Sequence, residues 1–250
     1  MRVAVVGGTG LVGRFTTLAL GKSGHEVVAV ARSANADVVT GVGLDDALRG
    51  VDAVVDVINL KATDADAARA IYGTATANLL AAESRARVKH HVLLSIVCVD
   101  RVLSVAHYAG KRAQEQLVKA GPVPWTILRA TQFHEFANTM LEGSGDTVTI
   151  PPLLLQPVAA SDAGAVLAEV ATVAPLRRTI ELAGPETQDL VDMARRTLAT
   201  RGESRRISVS WRGRFGVDAA GEAMLPHADA RIAPTTFDAW LTGTYGARTQ

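Results

Sequence analysis

The sequence predicts an α/β fold, a doubly wound parallel sheet with a small C-terminal lobe. Through about the first 130 residues, short β-branched runs alternate with Ala- and Leu-rich stretches of helical length. The β-branched runs are apolar throughout rather than alternating, which is typical of strands buried on both faces. Hydrophobic residues make up 48% of the 250 residues and aromatic residues only 4%, so the core must consist mainly of Val, Leu and Ala. Right-handed crossovers would make such a sheet Rossmann-like.

Each element follows from these runs in order. The predicted strands are 2–6, 27–31, 38–40, 53–58, 91–97 and 125–128. The predicted helices are 11–20, 64–87, 108–119 and 190–199, with a helical piece at 44–48. Too few residues lie between 31 and 38 for a crossover helix, so we expect a single turn or a loop there. Pro and Gly become more frequent after about residue 131, and we expect residues 1–150 to form the main domain and 151–250 the smaller lobe.

Composition excludes several classes of protein. Lys plus Arg number 26 and Asp plus Glu 25, a net charge of +1, so no strong field would recruit nucleic acid or an anionic membrane. The single cysteine, Cys98, rules out an intrachain disulfide and is expected to be a buried thiol. No apolar stretch reaches the roughly 20 residues that span a bilayer. These features predict a cytoplasmic protein.

The strongest motif is a glycine-rich turn between the first strand and the first helix. It reads Gly7, Gly8, Thr9, Gly10, Leu11, Val12, Gly13. Gly7 permits the tight turn, Gly10 permits close approach to a pyrophosphate, and Gly13 permits helix packing. The helix N-terminus then offers unpaired N–H groups and the positive end of its dipole. The motif in this setting predicts a dinucleotide cofactor.

The end of the second strand indicates which dinucleotide is preferred. A carboxylate at this point selects NAD through the ribose hydroxyls, whereas a nearby Arg accommodates a 2′-phosphate. Here Arg32 and Ser33 follow the strand, and the first carboxylate is Asp37. Arg14 is a second cation within reach of the same group. The sequence therefore predicts NADP(H) in preference to NAD(H).

Several segments together resemble the NmrA-like group of atypical short-chain dehydrogenase/reductases. The matching segments are GGTGLVG, VAR, GVDAVVDVIN, HHVLLSIVCVD, HYAGKRAQEQLV, VPWTILRATQFHEF, LLQPVAASDAGAVLAEV, ELAGPE and APTTFDAWL. The resemblance covers nearly the whole chain and implies a Rossmann domain with a small C-terminal substrate lobe. It implies members that range from reductases of quinones, carbonyls or enones to redox-sensing regulators without turnover.

The resemblance also implies further cofactor contacts at the carboxyl ends of the strands, where doubly wound sheets bind ligands. These implied contacts are Val57, Ile58 and Asn59 at the end of one strand, Ser95 and Ile96 at the end of the next, and Thr131, Gln132 and Phe133 at the corner after the last.

The catalytic residues depart from the pattern of short-chain reductases, which place a Tyr four residues before a Lys on one helix face. Lys111 has His107 four residues before it and Tyr108 three before it. Tyr108 and Lys111 can still share a helix face, His107 can supply the proton instead, or the site is degenerate and the protein senses the redox state of NADP(H). Ser95, thirteen residues before Tyr108, is the candidate for orienting a carbonyl.

Other candidates for function are weaker. His90 and His91 point to opposite faces of a strand, so no metal site is expected. Trp211, Phe215 and Met224 in the lobe suggest an apolar substrate pocket.

Two functions compete. The first is an NADP(H)-dependent oxidoreductase of a small apolar carbonyl, quinone or enone compound. The second is a non-catalytic redox sensor that binds a regulatory partner protein, and a homodimer is compatible with either. An epimerase or dehydratase is disfavoured, because such enzymes usually keep a complete Tyr–Lys pair.

Overall fold

The computed structural model describes residues 1–143, 145–212 and 215–246, and it confirms the α/β class. The strands are β1 (Arg2–Val6), β2 (Glu26–Val30), β3 (Ala53–Asp56), β4 (His90–Ile96), β5 (Trp125–Ala130), β6 (Thr147–Ile150), β7 (Leu154–Leu155), β8 (Thr179–Ala183), β9 (Gln188–Asp189), β10 (Arg206–Val209) and β11 (Arg231–Ile232). The helices are α1 (Leu11–Lys22), α2 (Leu44–Ala47), α3 (Ala65–Ala86), α4 (Ala106–Ala120), α5 (Phe136–Met140), α6 (Ala160–Ala171), α7 (Leu190–Arg201) and α8 (Phe237–Tyr245).

One seven-stranded parallel sheet organises the fold. Its order is β11-β8-β5-β4-β3-β1-β2, and every pairing in it is parallel. Strand β2 lies on one side of β1, and β3 and the later strands lie on the other side. The direction in which strands are added to the sheet therefore reverses between β1 and β3. A crevice at the carboxyl ends of these two strands is the place where such sheets bind ligands.

Both faces of the sheet are buried, as the continuous apolar strands predict. Along β1, Val3 and Val5 belong to a core with α1 and α6, whereas Ala4 and Val6 belong to a core with α3. All four side chains are at most 1% exposed. Alternate residues of one strand therefore pack against two helix layers, which is why Val3 to Val6 are all apolar.

The predicted strand at 38–40 is wrong. These residues form a turn, because their backbone bonds locally and to α3. The Asp37 carboxylate accepts from the Val39 N–H at 2.8 Å, and the Asn78 amide donates to the carbonyls of Val38 and Val39 at 3.0 Å. The expected short connection is confirmed as a single 3₁₀ turn at Arg32–Ala34.

The second half of the chain builds a separate core and also extends the main sheet. Pairs β6–β10 and β7–β9 cover a core that includes Leu153, Met224 and Phe237. Strands β8 and β11 join the edge of the main sheet beside β5.

The division at residue 150 stays a prediction. Among the helices in the described ranges, none is both long and apolar enough to cross a bilayer.

Candidate cofactor and active site

The glycine turn closes tightly on itself between β1 and α1. Gly7 has φ +84°, a conformation that favours glycine, and its carbonyl accepts from the Gly10 N–H at 2.9 Å. A Cβ on Gly13 would lie 2.3 Å from the Gly7 oxygen and 2.7 Å from the Gly8 Cα. The third glycine thus allows the first turn of α1 to sit directly on the loop.

The N-terminus of α1 fits the pyrophosphate of a dinucleotide. Gly10 is the N-cap and provides no side-chain acceptor, so the first N–H groups of this twelve-residue helix are left for an anion. Thr9, Gly10 and Leu11 are exposed beside it, while Val12 is buried and anchors the helix. The structure brings the predicted turn residues together, and their contact with a phosphate stays a prediction.

The first glycine also faces the end of β3. A Cβ on Gly7 would lie 3.1 Å from the Val57 carbonyl oxygen, so the turn and the β3 end form one crevice. The Ile58 N–H donates to the buried Asp56 carboxylate at 3.0 Å, which fixes this strand end, and Asn59 is exposed. The predicted positions Ile58 and Asn59 therefore lie beside the glycine turn.

Arg32 and Ser33 follow the end of β2, and Arg14 lies in the first turn of α1. Arg32, Ser33 and Arg14 are exposed. Within the described part of the chain, the side chains of Arg32 and Arg14 form no hydrogen bond or ion pair with protein, so both can pair with a phosphate.

Sequence reasoning missed a groove beside this crevice. It has a volume of about 430 Å³ and lies between the turn at Val39, the loop after β3 and the start of α3. Val, Ala and Ile side chains line much of it, with Lys61 and Thr63 on the loop side. Its only sequence signal is the lysine that follows the strand end.

Ser95 does not face Tyr108. Its hydroxyl donates to the Glu115 carboxylate at 2.6 Å, and that carboxylate also binds Arg129 and Lys119. Burial opposes the charge on Glu115, but these hydrogen bonds lower its pKa to about 2. Ser95 thus belongs to a buried ionic cluster with α4 and β5, and its role in orienting a carbonyl stays a prediction.

Tyr108 lies in the core between the two halves of the chain. Its hydroxyl accepts from the Gln132 amide at 2.9 Å, and its ring meets Phe215 edge-on at 6.4 Å. The side chain is 4% exposed, and burial raises the pKa of the hydroxyl well above its ordinary value. Phe215 and Met224, 3% and 0% exposed, are parts of this core. The pocket predicted around them is therefore a packed interior.

Lys111 has partners other than Tyr108. Its ammonium donates to the Gln114 amide oxygen at 2.5 Å, and the Gln114 amide donates to Asp56 at 2.6 Å. The ammonium also lies 5.6 Å from the centre of the Tyr72 ring. In the described residues, no contact joins Lys111 to Tyr108. The three-residue spacing places them on one helix without bringing their functional groups together.

His107 contacts Tyr72, a residue that sequence reasoning missed. The Nδ1 atom of His107 is 3.1 Å from the Tyr72 hydroxyl, and the half-buried ring lies edge-on to both Tyr72 and Tyr108, with centroids 5.6 Å and 6.3 Å away. Tyr72 sits in an Ala-rich helix, where it looks like an ordinary core residue. Gly110 carried the signal, because a Cβ there would lie 2.4 Å from the Tyr72 ring.

The corner after β5 is held rigidly. The Thr131 hydroxyl donates to the Gln156 carbonyl at 2.7 Å, and the Val158 N–H donates to the Gln132 carbonyl at 2.9 Å. Phe133 forms an isolated β-bridge with Val158 and is half-buried. Thr131 and Phe133 thus lie at the carboxyl edge of the sheet, where the resemblance implied them.

Comparison with known proteins decides the family. A family model described as NAD(P)H-binding matches residues 7–172, more than half of the chain. The chain belongs to the NAD(P)H-binding family. The match begins at Gly7 and includes the strand ends described above, and the narrower NmrA-like group stays a prediction.

Relatives of this NAD(P)H-binding protein differ in their described roles. It is 31% identical over 147 residues to a photosystem II assembly factor, Ycf39, from Synechocystis, a match that covers 53% of this chain and 45% of Ycf39. It thus spans about half the length of that protein. It is 28% identical over 265 residues to the (4-alkanoyl-5-oxo-2,5-dihydrofuran-3-yl)methyl phosphate reductase of Streptomyces griseus, covering 99% of this chain and 87% of the reductase.

Among solved structures, the NADPH-dependent quinone oxidoreductase QOR2 of Escherichia coli, complexed with NADPH, has the same fold. The TM-score is 0.64 at 18% identity, over 83% of this chain and 77% of QOR2. This neighbour shows the fold, and the family model shows membership of the NAD(P)H-binding family.

Lys111 is expected to make stability depend on pH. Burial lowers its pKa from 10.5 to about 8, although Asp56 and Glu115 oppose this. Between these two values the unfolded chain holds a proton that the folded chain lacks, so stability rises with pH. From about pH 7.5 to about pH 9.5, the free energy of unfolding of the wild type should rise by about 2 kcal/mol relative to Lys111→Met. Urea unfolding at both pH values measures this, and the control Lys22→Met should show no such change.

Proposed function

We propose that this protein is an NADP(H)-dependent oxidoreductase acting on a small apolar carbonyl, quinone or enone compound. The observation that carries the proposal is the placement of the glycine turn and His107 at one edge of the sheet. The turn follows β1, and the first turn of α4 follows β4. Bound NADPH would supply the hydride, and the chain would supply binding, orientation and a proton.

The comparisons support a reductase. The Streptomyces griseus relative, matched over 99% of this chain, bears the name of a reductase whose substrate contains a ring double bond conjugated to a carbonyl. The Escherichia coli neighbour is a quinone oxidoreductase. Half-buried Phe133 and Phe136 at the β5 corner suit a flat apolar substrate of this kind.

The contacts favour His107 over Tyr108 as the group that acts on the substrate oxygen. Hydride addition to a carbonyl leaves negative charge on oxygen, which needs a donor at that atom. The Tyr108 hydroxyl is buried, and in the described residues no cation touches it. His107 is half-buried on the first turn of α4, and imidazole is a good acid near neutral pH.

Turnover is tested by incubating protein and NADPH with a panel of quinones and enones. Oxidation of NADPH is followed at the absorbance band of the reduced cofactor. The expected result is consumption that depends on an acceptor. Confirmed NADPH binding without consumption for any acceptor would argue against the proposal.

The preference for NADP(H) is expected to depend on Arg32. A guanidinium–phosphate pair contributes about 1.5–3 kcal/mol, so Arg32→Ala should weaken NADPH binding by about ten- to a hundredfold. NADH binding should change less than about twofold, because NADH lacks the 2′-phosphate. Dissociation constants from calorimetry measure both. The control Arg49→Ala removes an exposed arginine that pairs with Asp46 and should change neither. Equal binding of NADPH and NADH by the wild type would contradict the preference.

The separation of Tyr108 from Lys111 favours a second function, a non-catalytic redox sensor that binds a partner protein. The Ycf39 relative bears the name of an assembly factor rather than an enzyme. A sensor should bind its partner with different affinity in its NADPH-bound and NADP⁺-bound forms. Pull-down quantified with each form measures this, and equal affinity excludes the sensor.

A further inference from the structure

Tyr72 is a buried tyrosine between the two helices that cover one face of the sheet. It lies on α3, its side chain is 0% exposed, and its ring packs on Gly110 of α4. The ammonium of Lys111 lies 5.6 Å from its ring centroid on the same helix. Tyr72, rather than Tyr108, is therefore the tyrosine that Lys111 and His107 both contact.

The hydroxyl of Tyr72 has two hydrogen-bond partners. The Leu60 N–H donates to it at 2.8 Å, and His107 Nδ1 lies 3.1 Å away. A backbone N–H can only donate, so the tyrosine oxygen accepts the hydrogen bond from Leu60. The hydroxyl proton is therefore available to donate a second hydrogen bond. Within the described ranges, His107 Nδ1 is the acceptor in reach of that proton. Burial raises the pKa of Tyr72, so the hydroxyl keeps its proton to donate.

We propose that Tyr72 is a positioning residue for His107. Its hydroxyl donates to Nδ1, so the neutral imidazole carries its one proton on Nε2. The same bond fixes the ring, because the Leu60 N–H and the packing on Gly110 hold the tyrosine itself. The Nε2–H is then the group that donates to the substrate oxygen, which rests on the proposed function of His107.

The position of Leu60 adds to this role. Leu60 follows Ile58 and Asn59 in the loop after β3, the loop that forms one wall of the crevice beside Gly7. Tyr72 therefore ties that wall to the first turn of α4 through two hydrogen bonds. The orientation of His107 is set by the same loop that borders the cofactor crevice.

Measuring the tautomer of His107 tests the proposed role of Tyr72 directly. We would record nitrogen–proton correlation NMR spectra of ¹⁵N-histidine-labelled protein at alkaline pH, where the ring is neutral. The spectra show which ring nitrogen carries the proton, and the signal that is missing in His107→Gln belongs to His107. We expect the proton on Nε2 in the wild type and a substantial Nδ1–H population in Tyr72→Phe. A proton on Nδ1 in the wild type, or an unchanged tautomer in Tyr72→Phe, overturns the proposal.

Kinetics give a second readout. Loss of one hydrogen bond should lower the kcat of Tyr72→Phe for quinone reduction about tenfold, with little change in KM. The control Tyr245→Phe removes a hydroxyl on α8 that binds Arg201 of α7 and should change neither kcat nor the tautomer. Unchanged NADPH binding by Tyr72→Phe shows that the variant is folded. If the wild type turns over no acceptor, the proposed function fails, while the NMR result still decides the role of Tyr72.

Discussion

Gly13→Ala is expected to abolish binding of the dinucleotide. The added methyl group would meet the Gly7 carbonyl oxygen at 2.3 Å and the Gly8 Cα at 2.7 Å, and both are backbone atoms that no rotamer change can move. The helix must then shift away from the turn, which costs about 3 kcal/mol by analogy with overpacked cores. Because the proposed pyrophosphate site uses N–H groups of both the helix and the turn, we expect NADPH affinity to fall by more than about a hundredfold.

A second glycine of the same helix provides the matched control. A Cβ on Gly21 meets no atom within 4 Å, so Gly21→Ala adds the same methyl group without a clash. Alanine also has the higher helix propensity, and this variant should bind NADPH normally and unfold at a slightly higher temperature. Calorimetric titration and thermal unfolding of both variants measure these effects. Tight NADPH binding by Gly13→Ala would show that the turn does not hold the pyrophosphate.

The sheet and the glycine turn could be predicted because their signals are local. Val3 to Val6 are apolar without alternation, and the glycines follow at once, so strand, turn and helix are legible from a dozen residues. The residues at 38–40 misled for the same reason. Two valines and a threonine have strand propensity, but the Asn78 side chain, forty residues away along α3, binds their carbonyls and keeps them in a turn.

The sequence predicts which residues are candidates for catalysis, but it does not predict which of their side chains contact one another. The spacing of Tyr108 and Lys111 along the helix can be read from the sequence. The direction of each side chain depends on the hydrogen-bond partners that the folded chain places beside it. Gln132 after β5 draws Tyr108 into the core, and Gln114 with Asp56 draws Lys111 toward α3. Gln132 is 24 residues from Tyr108, and Asp56 is 58 residues from Gln114, so neither partner leaves a periodic signal.

The two adjacent histidines, His90 and His91, have different partners in the fold. His90 and His91 do face opposite sides of β4, where His90 lies 2.9 Å from the Thr126 hydroxyl and His91 lies 2.8 Å from Glu83. Both side chains of the His91–Glu83 pair are 0% exposed. His91 thus forms a buried pair with Glu83 between β4 and α3.

That pair is expected to respond strongly to mutation. Burial opposes charge on both groups and raises the pKa of Glu83, whereas the neighbouring Glu83 carboxylate raises the pKa of His91. Glu83→Leu or His91→Leu leaves one ionisable group in the core without its partner, which should cost about 3–5 kcal/mol of unfolding free energy. The exposed pair Glu169–Arg231 offers a control, and Glu169→Ala should cost less than about 1 kcal/mol.

The double variant separates the pair's interaction from the cost of burying it. Glu83→Leu combined with His91→Leu removes both ionisable groups from the space between α3 and β4 and leaves none uncompensated. Its unfolding free energy should lie within about 2 kcal/mol of the wild type, and so above that of either single variant. Urea unfolding of the four proteins closes the cycle. If the double variant is less stable than both single variants, the contribution of these residues is their packing rather than their pairing. If the double variant is more stable than the wild type, the His91–Glu83 pair lowers the stability of the wild type. The pair would then be a destabilising feature of the α3 side of the sheet, where Tyr72 also lies.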